Sequence, residues 1–160
     1  AAAGSKKSFD DYEVGELIDH IDGNTICEAD HLFATRLWQN NSKVHFDINA
    51  RGDRKRLIYG GHIISLVRAL SFNGLENAQL IVGINGGTHA NPVFAEDTIY
   101  CWSEVLDKID LNVRNIAALR LRSVGTKEKD HNMRVKSDDG KYLPTIVLDF
   151  DYWVLVPKEL

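Results

Sequence analysis

Cysteine, proline and methionine are scarce in this chain of 160 residues, which holds two, three and one of them. Cys27 and Cys101 lie far apart and form no C-x-x-C pair, so nothing supports a disulfide scaffold. Two buried free thiols in a reducing cytoplasm are expected instead. No apolar run approaches the roughly 20 residues of a membrane span, and no signal-peptide pattern precedes the first strand. An excess of positive charge is missing as well. Nineteen Lys and Arg against 23 Asp and Glu give a formal net charge of -4, whereas a nucleic-acid binder usually presents a basic face. No Rossmann or P-loop fingerprint occurs. What remains is the composition of an ordinary globule, 44% apolar and 26% charged, long enough for one domain with a sizeable core. Ala1 to Ser5 read as a tag remnant. Residues 1–8 are therefore expected to form a disordered start, and residues 9–160 one domain.

Along the chain, Gly15 marks a turn into a short first strand in which Leu17, Asp19 and Ile21 share one face and Ile18 and His20 the other. Thr25 has the pattern of a helix N-cap, with Glu28 completing a capping box. The spacing predicts a helix over 26–38 with Ala29, Leu32, Phe33 and Leu37 as its apolar stripe. A polar, turn-rich stretch follows. From Gly61 to Phe72 apolar residues then cover nearly the whole helical circumference, which predicts a helix buried on all sides. Four strands are expected after it, over 79–90, 98–106, 116–124 and 145–156. The last alternates well, with Ile146, Leu148, Phe150, Tyr152 and Val154 on one face. The polar stretch 127–144 reads as a long mobile hairpin loop. A sheet wrapped around a single helix is the arrangement that buries such a helix, which points to an α+β fold of the hotdog type, an antiparallel sheet around one long central helix.

Two features of the polar stretch carry chemistry. His45 lies between Val44 and Phe46, where a packed histidine is one reading and an acid/base group the other. Gly60 and Gly61 open the apolar helix. Glycine there permits close packing, but a helix start also offers unbonded N–H groups and the positive end of a macrodipole. Such a site can hold a developing oxyanion, for example a thioester enolate.

The run Phe9 to Pro157 resembles the MaoC-like dehydratase family. The resemblance is carried by F-x-x-Y-x-V-G at Phe9 to Gly15, T-x-x-E-A-D at Thr25 to Asp30, a loop histidine, a helix-opening glycine and P-V-F-x-x-D-T at Pro92 to Thr98. The phrases RLWQN, VHF, RLIYGGHIIS and RALSFNGLENAQ, with the closing DGKYLP and LDFDYW, are similar more narrowly to mesaconyl-CoA hydratases, also called β-methylmalyl-CoA or 2-methylfumaryl-CoA hydratases. Those enzymes carry two hotdog halves, and the chain resembles the C-terminal one.

The resemblance implies a hydro-lyase: reversible hydration of an enoyl-CoA thioester, with mesaconyl-CoA as the expected substrate. Coenzyme A then enters as part of the substrate, and no metal or other cofactor is called for. The family's loop pattern is D-x-N-x-x-H, whose Asp and His form the acid/base pair. The matching positions here are Asn40, Ser42 and His45, so the histidine is kept and the carboxylate is an amide. His45 is expected to move the proton, Asn40 to position a water or the ring, and the Gly61 N–H to receive the thioester oxygen. Asp47 or a carboxylate of a partner domain stands as a replacement base, or the domain is catalytically weak. Tyr59, His62, Asn85 and His89 are expected to contact the acyl group, and Arg54 and Arg56 the phosphates of coenzyme A. No ligand spacing supports a metal held by His45, His62 and His89. A homodimer or higher homo-oligomer in the cytoplasm is expected, with neither nucleic acid nor membrane as partner. Two other readings stay open: a non-catalytic acyl-CoA-binding or structural hotdog, and a hotdog thioesterase, for which the helix start lacks a carboxylate.

Overall fold

The computed structural model describes residues 6–78, 80–129 and 132–159. The expected tag remnant, residues 1–5, lies outside them. Lys7 pairs with Glu16, and Ser8 bonds Asp11 through both its N–H and its hydroxyl, so the disordered start expected over 1–8 does not reach these two residues.

A short 3-10 turn, Phe9–Asp11, leads into β1 (Leu17–Thr25), α1 (Glu28–Leu37), α2 (Gly60–Leu70), β2 (Leu80–His89), β3 (Thr98–Val113), β4 (Ile116–Thr126) and β5 (Ile146–Pro157). The strands form one sheet in the order β1-β3-β4-β5-β2, each neighbouring pair antiparallel. Hairpins join the central strands β3, β4 and β5, while β1 and β2 close the two edges. α2 lies across the inner face and touches β1, β3, β4 and β5.

Period-two alternation builds that face. Leu148, Phe150, Tyr152 and Val154 of β5 are buried there, as are Leu119 and Leu121 beside them on β4, whereas Ile146, expected on the same face, lies past a register shift and packs into a separate small core. Ile63 and Val67 of α2 press onto this layer and are themselves buried. Removing each such side chain from water contributes about 1.5–3 kcal/mol. The helix comes close because β4 has glycine at position 125: a Cβ there would meet Val67 Cγ2 at 2.8 Å.

Several expectations need correction. Thr25 does not cap a helix. It ends β1, with its hydroxyl 2.7 Å from that of Thr98, and Cys27 holds the N-cap position of α1. Glu28 bonds Arg56 rather than the backbone of a capping box. The expected stripe on α1 faces outward: Phe33 and Leu37 are 70% and 59% exposed, while His31, Ala34 and Thr35 are buried. Pattern alone could not tell which side of this short helix the sheet would leave to solvent. α2 is likewise not buried all round. Ser65 and Ala69 are exposed, and Ile64, Leu66 and Leu70 are partly covered, because the sheet lies on one side of it.

Cys27 is exposed and Cys101 buried, both as free thiols, so only one of the two thiols expected to be buried is so. The hairpin expected to be mobile over 127–144 is tied down in its second half. Val135 joins Trp102, Val124 and Ile146 in a small separate core, with Met133, Tyr142 and Leu143 against it.

Candidate active site

A cavity of about 510 Å³ opens at the N-terminal end of α2. Its apolar wall comes from Leu57, Ile58, Ile63, Pro92, Val93 and Val147, and its polar groups from Asn40, His45, Tyr59, His89 and Asn91. Gly60 and Gly61 form the remaining edge. No Asp or Glu lines it among the described residues.

His45 ends a short 3-10 turn, Lys43–His45. The turn is laced to the strand-like approach to α2, because Leu57 N–H donates to the Val44 carbonyl at 2.9 Å. His45 Nδ1 lies 2.8 Å from the Leu57 carbonyl. A carbonyl only accepts, so Nδ1 carries a proton, and in the neutral ring Nε2 keeps its lone pair. The Tyr59 ring meets the imidazole edge-on, with centroids 5.8 Å apart.

Asn40 stands just past α1, its N–H donating to the Thr35 carbonyl at 3.0 Å after Gln39 turns the chain at φ 51°. Its Oδ1 accepts the Ser42 N–H at 2.8 Å. The side-chain NH₂ is thereby left as the group Asn40 offers to a water or a substrate oxygen.

The start of α2 explains the paired glycines. The N–H groups of His62 and Ile63 both turn back to the Tyr59 carbonyl, at 2.9 and 3.3 Å. Those of Gly60 and Gly61 make no hydrogen bond among the described residues, and the N-cap residue Tyr59 supplies no side-chain cap. A Cβ on Gly60 would sit 2.6 Å from His89 Nε2, and one on Gly61 would sit 2.6 Å from the Tyr59 ring. Two rings therefore lie flush against a backbone that presents two unbonded amides at the positive end of a helix. Burial pushes His89 below the ordinary imidazole range, which favours its neutral form beside those amides.

Of the residues expected at the site, Asn40, His45, Tyr59, Gly61 and His89 meet around this cavity. His62 does not line it. It turns toward α1, where burial lowers its pKa against the opposing pull of Asp30. Asn85 sits on the outer side of the edge strand and donates to Asp151, which Arg120 also holds. Arg56 binds the Glu28 carboxylate at 2.6 Å and the Phe46 carbonyl at 3.1 Å, and Arg54 donates to Asn49. These arginines buckle the polar loop to itself and to α1, and neither lines the cavity. Asp47 caps its own turn, accepting the Asn49 N–H at 2.9 Å, so it does not stand in as a base at this site. His45, His62 and His89 form no metal-binding group among the described residues.

The sequence reading missed His31, buried behind the cavity with its Nδ1 accepting the Tyr59 N–H at 3.3 Å. It also missed Asn91, whose NH₂ holds the Leu143 and Ile146 carbonyls at the cavity rim. Nothing in the spacing marks either one, since both depend on segments remote in the chain.

An imidazole faces a helix start across an apolar cleft, in a sheet-and-helix domain of the hotdog type. No family model matches the chain. It is 58% identical over 98% of its length to a mesaconyl-CoA hydratase from Cereibacter sphaeroides, and 54% identical over 99% to a β-methylmalyl-CoA dehydratase from Chloroflexus aurantiacus. The crystal structure of a MaoC domain protein dehydratase from Chloroflexus aurantiacus superposes with a TM-score of 0.94 at 53% identity, over 99% of this chain. The chain is thus closely homologous to the MaoC-like hotdog dehydratases. It spans 46% of the length of each of these three proteins. No helix among the described residues is long and apolar enough to cross a membrane.

Proposed function

We propose that this hotdog domain, over residues 9–160, catalyses the reversible hydration of an enoyl-CoA thioester, with mesaconyl-CoA and β-methylmalyl-CoA as the pair interconverted. The observation that carries the reading is the single cavity edge shared by His45 and the unbonded amides of Gly60 and Gly61. In the hydration direction His45 Nε2 takes a proton from water while the water oxygen bonds to the β-carbon. The π electrons move to the thioester oxygen as an enolate, which the Gly61 N–H and the helix dipole stabilise. The enolate then collapses and the α-carbon takes the proton back from His45. The Asn40 NH₂ holds the attacking water, and Tyr59 and His89 border the acyl group.

Among the described residues no carboxylate lines the cavity, which supports a mechanism with one imidazole in both proton transfers. It equally favours a second reading, a domain that binds acyl-CoA without turning it over. The exposed apolar side chains Leu80, Val82 and Ile84 on the edge strand β2, and Phe33, Leu37 and Trp38 on and just after α1, support association with a second hotdog, as a homodimer or higher oligomer. Coenzyme A thioesters and free thiols fit the cytoplasm.

The test is loss of the enoyl-thioester absorbance when the chain is mixed with mesaconyl-CoA, with crotonyl-CoA and a His45→Ala variant alongside. Loss of the band with the thioester intact, abolished in the variant, is the expected result. Unchanged substrate bound by a folded protein would establish the binding module, and release of free thiol would establish a thioesterase.

A further inference from the structure

α1 buries one histidine that its own helix does not use. His31 is 0% exposed, and its Nδ1 accepts the Tyr59 N–H at 3.3 Å. The Thr35 hydroxyl is 3.5 Å from the same nitrogen and closer, at 2.9 Å, to the His31 carbonyl. An amide can only donate, so Nδ1 holds a lone pair and the neutral ring carries its proton on Nε2. That Nε2 is buried and makes no hydrogen bond by geometry among the described residues, although the His45 carbonyl faces the ring.

Tyr59 is the residue from which α2 springs. Its carbonyl takes the His62 and Ile63 amides, its ring covers Gly61, and the ring edge meets His45. We propose that His31 is a positioning residue, whose Nδ1 lone pair fixes the Tyr59 amide and so sets the Gly60 and Gly61 N–H groups against His45. The inference rests on the hydratase reading above. A proton added to His31 turns Nδ1 into a donor facing a donor and places a cation between two other imidazoles.

The groups that face His31 are His62 from α2, His45 and its carbonyl from the polar loop, and Glu28 on its own helix, itself paired with Arg56. Burial and then the His62 ring hold His31 below the ordinary imidazole range; the His45 carbonyl opposes these two more weakly, and the His45 ring and Glu28 act in opposite directions with smaller effects still. A proton taken up at His31 in acid therefore releases Tyr59, and this loss adds to the acid limb of log(kcat/KM).

The test compares His31→Asn, whose Oδ1 replaces Nδ1 as acceptor, with His31→Leu, which offers none. His31→Leu is expected to lower kcat roughly 10- to 100-fold with KM changed by less than about 3-fold, and His31→Asn to restore kcat to within about 3-fold. The acid limb of His31→Asn lacks the His31 contribution and is shallower than that of the wild type. Equal kcat in His31→Leu and wild type, failure of His31→Asn to rescue, or an unchanged acid limb would each overturn the role. If His31→Leu does not fold, the acid limb of His31→Asn decides alone.

Nitrogen-15 spectra of the histidines separate this inference from the reading beneath it. They report the tautomer whether or not the chain turns over substrate. A chain inactive on every enoyl thioester overturns the hydratase reading. His31 is then judged by an unprotonated Nδ1 and by faster Tyr59 amide exchange in His31→Leu than in His31→Asn. A protonated Nδ1 at neutral pH, or equal exchange, overturns it.

Discussion

At its N-terminal end α2 begins with the Gly60 and Gly61 amides unbonded among the described residues, whereas at its C-terminal end buried polar groups close into an ordered chain. Arg68 donates to the Tyr152 hydroxyl at 2.7 Å, which is 2.7 Å from Ser123; Ser123 is 2.7 Å from Ser103, and Ser103 2.8 Å from His20 Nε2. His20 Nδ1 faces the Asn73 carbonyl at 2.7 Å and must donate to it. Nε2 is then an acceptor, and every hydroxyl back to Arg68 points the same way. The difference separates two uses of polarity on one helix. Where the helix end borders the cavity, the glycine donors are left open. Where the helix end is sealed by the sheet, each donor has its acceptor, because an unmade buried bond costs about 1–3 kcal/mol.

Breaking the open end has the largest expected effect. His45→Ala removes the proton carrier and should lower hydration by roughly 10²- to 10⁴-fold, measured as kcat/KM. Its stability cost should be only about 1 kcal/mol, the net value of the lost bond to Leu57. Gly61→Ala comes next. The new Cβ falls 2.6 Å from the Tyr59 ring, and displacing that ring from beside His45 should cost roughly 10²-fold in kcat/KM.

Tyr152→Phe tests the sealed end. It leaves Ser123 and Arg68 each short of one bond and should destabilise by about 1–3 kcal/mol in urea unfolding, with hydration per folded molecule unchanged. A loss of turnover in this variant at full folding would erase the distinction between the two ends.

The smallest effect sharpens the comparison through pH. Burial holds His20 below the ordinary imidazole value of 6.5, against the weaker upward pull of the Asn73 carbonyl. Above that value neither the folded nor the unfolded chain binds a proton at His20, and its contribution to stability is complete. As pH falls from there toward the lowered folded value, the unfolded chain takes up a proton that the folded one refuses. Stability is then lost at up to ~1.4 kcal/mol per pH unit. His31 and His62 are shifted in the same direction, so the total acid slope does not isolate His20. The difference between wild type and His20→Gln, read from urea midpoints at stepped pH, does isolate it.

Much of the fold was legible before any coordinates, and the reason is local. The alternation from Leu148 to Val154 and the polar, Gly-marked breaks between apolar runs are properties of neighbouring residues. They located β3, β4 and β5, although β3 runs on to Val113, beyond the expected end. α1 was misread because its stripe of Ala29, Phe33 and Leu37 is a real apolar face that this chain leaves to solvent. Likewise Thr25 and Glu28 have the spacing of a capping box, but each found a stronger partner from afar, Thr98 and Arg56. At the site, Asn40, His45, Tyr59, Gly61 and His89 were foreseen and meet. Arg54, Arg56, His62 and Asn85 were foreseen as contacts and are engaged elsewhere.

Residue order alone determined the strand and helix periods, the apolar helix with its glycine start, and the presence of a histidine in the polar loop before it. Those are questions of pattern over a few turns of chain, answered by side-chain period and backbone freedom. Only the tertiary structure decided which of the polar residues face one another. Asn40 comes to the cavity that His45 lines by a turn at Gln39. His89 reaches Gly60 from the edge strand 29 positions on, and His31 reaches Tyr59 across two packed helices. Such meetings depend on how the sheet and the two helices pack, because hydrogen bonds and van der Waals contacts act over a few ångströms of space, however far apart the residues lie along the chain.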